Sequence, residues 1–134
     1  MQILVAGVRH QTAPIEIREK LSLSEAEIRE VLPALLALPG VQECAILSTC
    51  NRTEIYAAVT NTAETIHAIQ KLISEYKGFD WATHRKHTFL FLQEDAIYHL
   101  FRVAAGVESL IIGEGQILGQ VKDTLALSTQ MKSV

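Results

Sequence analysis

The residues with the greatest chemical capacity in this sequence fall together in Ser48-Thr49-Cys50-Asn51-Arg52-Thr53-Glu54. Cys50 follows a short apolar run, which places it where a buried strand meets solvent. Arg52, two residues on, carries a permanent positive charge. That charge favours the thiolate, the nucleophilic form of cysteine. The same guanidinium could instead grip a substrate carboxylate with its planar fork. A satisfied turn holding an inert cysteine is the third reading, and residue type alone does not displace it.

Histidines supply the candidate bases. His99 lies one turn before Arg102 in an amphipathic segment, beside Leu100 and Phe101. It could take a proton from a thiol or activate water, although a histidine in that setting is more often a packed side chain with one hydrogen bond. His10 follows the first apolar run, with Arg9 and Arg18 nearby. His67 joins a polar helix face, and His84 and His87 belong to the basic run His84-Arg85-Lys86-His87, which reads as a solvated loop.

Other chemistries are poorly served. The two cysteines, Cys44 and Cys50, are six apart, whereas a structural zinc site usually draws on four ligands; no metal site is expected. Gly113-Glu114-Gly115-Gln116 has two glycines where a dinucleotide fingerprint needs three after a strand, and no phosphate-binding loop of the Walker type is present. A net charge of −3 and a pI near 5.9 leave no electrostatic footprint for a long polyanion, although a local contact to RNA is compatible with it. No apolar run approaches the ~20 residues that cross a bilayer, and there is no secretory leader. The reading is an intracellular, reduced, cytoplasmic protein with no membrane partner.

The elements that must position these groups are legible as short segments. The 134 residues are 49% hydrophobic and 20% charged, enough for one domain with a core. Ile3 to Val8 reads as a strand. Ser24 and Glu27 form a capping box, with Ile28, Val31, Leu32, Leu35 and Leu36 in helical spacing behind it. Pro33 threatens a kink, and Pro39-Gly40 stops the helix. Segments 43–49 and 55–59 read as antiparallel neighbouring strands. Asn61 and Glu64 suggest a second capping box, ahead of Ile66, Ile69, Ile73 and Tyr76. Gly78 ends that helix. Thr88 to Leu92 is a fourth strand. Glu94 to Ala105 forms a helix with Ile97, Leu100, Phe101 and Ala104 on one stripe and Gly106 at its end. A last helix starts near Gln116 and uses Ile117, Val121 and Leu125. The fold class is therefore α+β: a ferredoxin-like β-α-β-β-α-β unit with additional C-terminal helices. The helices 24–38 and 62–76 are expected on one face of a four-stranded, mostly antiparallel sheet.

Four blocks of the sequence resemble the N-terminal domain of the glutamyl-tRNA reductase family. They are Gly7 to Pro14 with Arg18-Glu19, Leu47 to Glu54, His99 to Gly106, and Glu108 to Lys122, in family order and spacing. The resemblance implies a single catalytic, substrate-binding domain over residues 1–134, without the NADP-binding and dimerisation domains. It implies an oxidoreductase of tetrapyrrole (porphyrin) biosynthesis, which reduces glutamyl-tRNA(Glu) to glutamate-1-semialdehyde through a cysteine thioester. NADPH would bind outside this chain, so no cofactor is expected here. By the same resemblance Cys50 is the nucleophile and His99 the base or carbonyl-positioning group. Thr49, Arg52, Ser109, Glu114 and Gln120 line the glutamate pocket, with Arg52 on the α-carboxylate. Glutamate-1-semialdehyde aminotransferase is a candidate partner of the full-length homodimer. The chain by itself is expected to be monomeric or weakly associated, to lack reductase activity, and to expose an apolar surface where further domains dock. After Lys122 the tail does not match the family pattern. The competing expectation is a non-enzymatic binding or regulatory module that keeps the fold.

Overall fold

A computed structural model describes residues 1–108 and 116–134. The chain runs β1 (Gln2–Arg9), α1 (Ile15–Leu21), α2 (Glu25–Leu36), β2 (Val41–Ser48), β3 (Arg52–Val59), α3 (Thr62–Lys77), β4 (Thr88–Leu92), α4 (Glu94–Ala104) and α5 (Gln116–Gln130). The strands form one sheet in the order β2-β3-β1-β4, and every neighbouring pair is antiparallel. This is the ferredoxin-like arrangement expected from the sequence, with α4 and α5 added.

One face of the sheet holds the main core. Leu4, Ala6 and Val8 of β1, Cys44 and Ile46 of β2, and Ile55, Ala57 and Val59 of β3 point to it. Ile28, Val31, Leu32 and Leu35 of α2 and Ile69 and Ile73 of α3 close over them, so the helices anticipated over 24–38 and 62–76 do share a face. Ser24 and Glu27 form the reciprocal capping box, with bonds of 2.9 and 3.2 Å. Pro33 sits within α2 on an exposed surface, and the helix continues through it. Gly40, at φ 92°, then turns the chain into β2.

Two local expectations differ from what forms, and one helix was not anticipated. Asn61 adopts a left-handed conformation (φ 49°) and makes no side-chain cap, because from that backbone its amide does not reach the first-turn N–H groups. The segment after Pro14 is a helix of seven residues, α1; it spans barely two turns, too few for periodicity to register. Strand β3 begins at Arg52 rather than Ile55, and this matters most for the site.

The opposite face is covered by α4 and α5. In α4 the buried residues are Ala96, His99 and Val103, while Ile97 and Phe101 are 40% and 67% exposed. Of the stripe expected from hydrophobicity alone, Ile97 and Phe101 therefore face outward, while Leu100 and Ala104 are half-buried. Arg52 and Glu54 lie on this face of β3, and the helix turns toward them the side that carries His99. Leu125 of α5 is likewise 60% exposed, while Ile117 is buried. Gly106 (φ 80°) ends α4 in a Schellman motif: Gly106 N–H donates to Val103 O and Val107 N–H to Arg102 O. At the other edge of the sheet, Cys44 N–H donates to Ser133 O, so the chain's last residues cover part of the outer strand β2. Among the described residues no helix is long and apolar enough to cross a membrane.

Candidate active site

Alternation along β3 builds the site. Residues of a strand point to opposite faces in turn, so Thr53, Ile55 and Ala57 enter the main core while Arg52, Glu54 and Tyr56 project together toward α4. Both faces are covered, so this polar set is interior: Arg52 and Glu54 have 1% and 0% side-chain exposure. Arg52 Nη1 donates to Glu54 Oε2 at 2.9 Å, Tyr56 Oη donates to Glu54 Oε1 at 2.6 Å, and His99 Nε2 lies 2.7 Å from Glu54 Oε2. Burial alone pushes the Glu54 carboxyl upward. The hydrogen bond from His99, joined by its charge whenever the ring is protonated, outweighs this with help from Arg52 and Tyr56, so the Glu54 pKa falls below the ordinary 4.5. Burial, followed by the Glu54 carboxylate, raises the Tyr56 hydroxyl far out of the titrating range.

Beside this cluster lies a second one, centred on Glu108. Its carboxylate takes Arg102 Nε at 2.6 Å and Gln11 Nε2 at 2.8 Å, with Arg9 Nη1 at 3.5 Å. Its backbone oxygen accepts from Arg52 Nη2 at 2.6 Å and from Gln11. Arg52 thus links the two clusters. The Schellman turn after α4 is what brings Glu108 back over Arg102. Arg9 also lies over Phe89 and Phe91 of β4, 5.0 and 5.4 Å from their centroids, and those rings flank His99 at 5.1 and 5.2 Å.

Cys50 is exposed, at the tip of the hairpin that joins β2 to β3. Asn51 N–H bonds to Thr49 Oγ1, and Arg18 donates to Cys50 O at 3.2 Å. A hollow of about 60 Å³ adjoins the thiol, lined by Thr49, Cys50, Asn51, Arg52, Gln116, Ile117 and Gln120. The β1–β3 register pairs Arg9 with Arg52, so His10 leaves the sheet at the same end as Cys50. Burial first, then the charges of Arg52 and Arg18, lower the His10 pKa from 6.5. The other thiol differs in every respect: Cys44 is buried, its Sγ 3.7 Å from Leu32 O, and burial raises its pKa to about 11.

Of the residues singled out from the sequence, Thr49, Cys50, Arg52 and Gln120 border one hollow. His99 lies deeper, joined to Arg52 through Glu54. Ser109 and Glu114 fall outside the described residues. Arg52 commits Nη1 and Nη2 to Glu54 and Glu108, a more enclosed state than a free clamp at a pocket mouth. His67 is exposed, and His84 stacks on Phe79 at 4.6 Å with its Nδ1 2.9 Å from Asp80 O. Sequence reasoning gave no role to Glu54, Tyr56, Arg9, Arg102 or Glu108. The available signal was the period of two in Arg52, Glu54 and Tyr56, which a strand starting at Arg52 turns into one polar face. Among the described residues no cluster of histidine, cysteine and carboxylate groups could hold a metal ion.

A ferredoxin-like sheet with an exposed thiol at a hairpin tip, backed by interior ion pairs, defines an α+β domain with an exposed cysteine beside a buried polar cluster. The family model for "Glutamyl-tRNAGlu reductase, N-terminal domain" matches residues 6–134, and the chain belongs to this family. It is 56% identical over 129 residues to a glutamyl-tRNA reductase of Gloeothece citriformis, covering 96% of this chain and 30% of that protein. It is 50% identical over 134 residues to one of Synechocystis sp., covering all of this chain and 31% of that protein. The solved glutamyl-tRNA reductase from Methanopyrus kandleri superposes with a TM-score of 0.76 at 26% identity, over 98% of this chain and 29% of that one. The chain thus spans less than a third of the length of these relatives.

Proposed function

We propose that this chain is the part of a glutamyl-tRNA reductase that recognises the glutamyl group and takes it onto Cys50. The observation that carries the reading is the placement of Cys50: an exposed thiol on a hollow shared with Thr49, Arg52 and Gln120, over an interior network that reaches His99.

The step is an acyl transfer. The Cys50 thiolate attacks the ester carbonyl of glutamyl-tRNA(Glu); a C–S bond forms and the C–O bond to the terminal ribose breaks. His99 is the group assigned to proton handling: it takes the proton of the Cys50 thiol as the thiolate forms and returns it to the departing ribose oxygen. Thr49, Arg52, Gln120, and Ser109 and Glu114 in the segment after Glu108, provide the polar contacts to the amino acid. Arg52 borders the hollow and carries the charge to hold a substrate carboxylate; because the α-carboxyl carbon is the ester under attack, that group is the γ-carboxylate of the glutamyl side chain rather than the α-carboxylate. Reduction of the thioester to glutamate-1-semialdehyde, with NADPH as hydride donor, is assigned to a further portion of the enzyme outside residues 1–134. It would serve tetrapyrrole synthesis.

The chain without that portion should release glutamate from glutamyl-tRNA by slow thioester hydrolysis, form no semialdehyde, and be indifferent to NADPH. Product analysis of such a mixture tests the reading. Semialdehyde from this chain, or glutamate release undiminished in Cys50→Ala, overturns it.

A further inference from the structure

The roles assigned so far leave Glu54 unused, although its side chain has no exposure and three donors converge on it. An ionised carboxylate only accepts hydrogen bonds. Each of its partners must therefore present a hydrogen. Arg52 and Tyr56 have a single way of doing so. His99 has two ring nitrogens, and the one at 2.7 Å from Glu54 Oε2 is Nε2. The tautomer with its hydrogen on Nδ1 would set two lone pairs against each other at that distance, in a place closed to water. A protonated Glu54 would resolve the clash, but Arg52 Nη1 at 2.9 Å from the same oxygen favours the charged carboxylate. The ring has little freedom to turn away, with Phe89 and Phe91 beside it and the helix α4 fixed above it.

We propose that Glu54 is a positioning residue for His99: it holds the hydrogen on Nε2, so that Nδ1 is the nitrogen that accepts a proton during chemistry at Cys50. The proposal rests on the role given to His99 above. Glu54 thereby joins two parts of the site. It orients the imidazole with the same oxygen that neutralises Arg52, so the charge at the hollow and the tautomer of the base are set by one carboxylate.

Two measurements test this separately from the function itself. Long-range proton–nitrogen correlation spectra of the ¹⁵N-labelled chain report the tautomer of each neutral imidazole, with His99 assigned by the signals lost in His99→Asn. The expected pattern has hydrogen on Nε2, and hydrogen on Nδ1 overturns the proposal whether or not the chain acts on glutamyl-tRNA. The second measurement is the pH profile of Cys50 acylation in the wild type, Glu54→Gln and Tyr56→Phe. Glu54→Gln is expected to slow acylation on the order of 10–100-fold and to shift the midpoint of the profile. Tyr56→Phe removes another donor from the same carboxylate and should leave the midpoint in place. A wild-type midpoint retained in Glu54→Gln refutes the positioning role while leaving Cys50 chemistry intact. A wild type that never acylates removes the functional reading, and the tautomer then decides the proposal. Should Glu54→Gln fail to fold, the wild-type spectrum remains decisive.

Discussion

Arg52 and Glu54, two positions apart on one face of β3, form an ion pair of 2.9 Å with almost no exposure to solvent. Removing either partner leaves the other charge uncompensated in the interior. Arg52→Met or Glu54→Leu is therefore expected to cost about 3–5 kcal/mol. Urea titrations of the two variants check this; a loss under about 1 kcal/mol would mean that water reaches the pair.

The two thiols should separate cleanly. Cys50 is exposed, whereas Cys44 is buried with its pKa raised to about 11. Iodoacetamide is expected to label Cys50 in the native chain and Cys44 only after denaturation. Peptide mapping after brief alkylation reads the outcome, and native labelling of Cys44 would contradict the packing of β2 against α2.

Acid should weaken the fold in two stages. Glu54 and Glu108 have folded pKa values lowered from 4.5, and His10 has one lowered from 6.5. For a lowered pKa the unfolded chain binds the proton first, so the stability is present above the unfolded value and is lost as pH falls through the folded one. The urea midpoint should start to drop below pH 6.5, through His10, and drop more steeply below 4.5, through the carboxylates. A midpoint that rose on acidification would reverse the assigned signs.

Gly7 and Gly119 make a matched pair. A Cβ at Gly7 would run into the Thr53 carbonyl, opposite Glu54 in the register, whereas at Gly119 it would meet nothing within 4 Å. Gly7→Ala is expected to destabilise by about 1–3 kcal/mol. Gly119→Ala, in a helix, is expected to stabilise by up to about 1 kcal/mol. Thermal melts of both variants compare the two directly.

Much of the scaffold was legible in the sequence because it rests on local signals. The Ser24–Glu27 box, the apolar spacing of α2 and Gly78 each act over a few residues, and each forms as read. The sheet order followed from the succession of elements. The polar interior was harder to see. Arg52 and Glu54 are charged, so hydrophobic patterning assigned them to a loop, and only the pairing of Gly7 with Glu54 and Arg9 with Arg52 reveals that β3 extends over them. The buried face of α4 is hidden from hydrophobic patterning for the same reason. Ile97 and Phe101 form the more hydrophobic stripe, yet the helix buries His99 because a carboxylate awaits it. Glu108 was out of reach altogether, since its partners Arg9, Gln11 and Arg102 come together only through the turn at Gly106.

The proposed chemistry turns on one covalent bond, between the Cys50 sulfur and the glutamyl carbonyl carbon. Intact-mass spectrometry of the chain after acid quench from glutamyl-tRNA observes it directly, with hydroxylamine treatment to reveal a thioester. The predicted result is a single glutamyl adduct on Cys50, released by hydroxylamine, absent in Cys50→Ala and retained in Cys44→Ala. An adduct that persists in Cys50→Ala, or a chain that binds glutamyl-tRNA yet never acquires one, would contradict it.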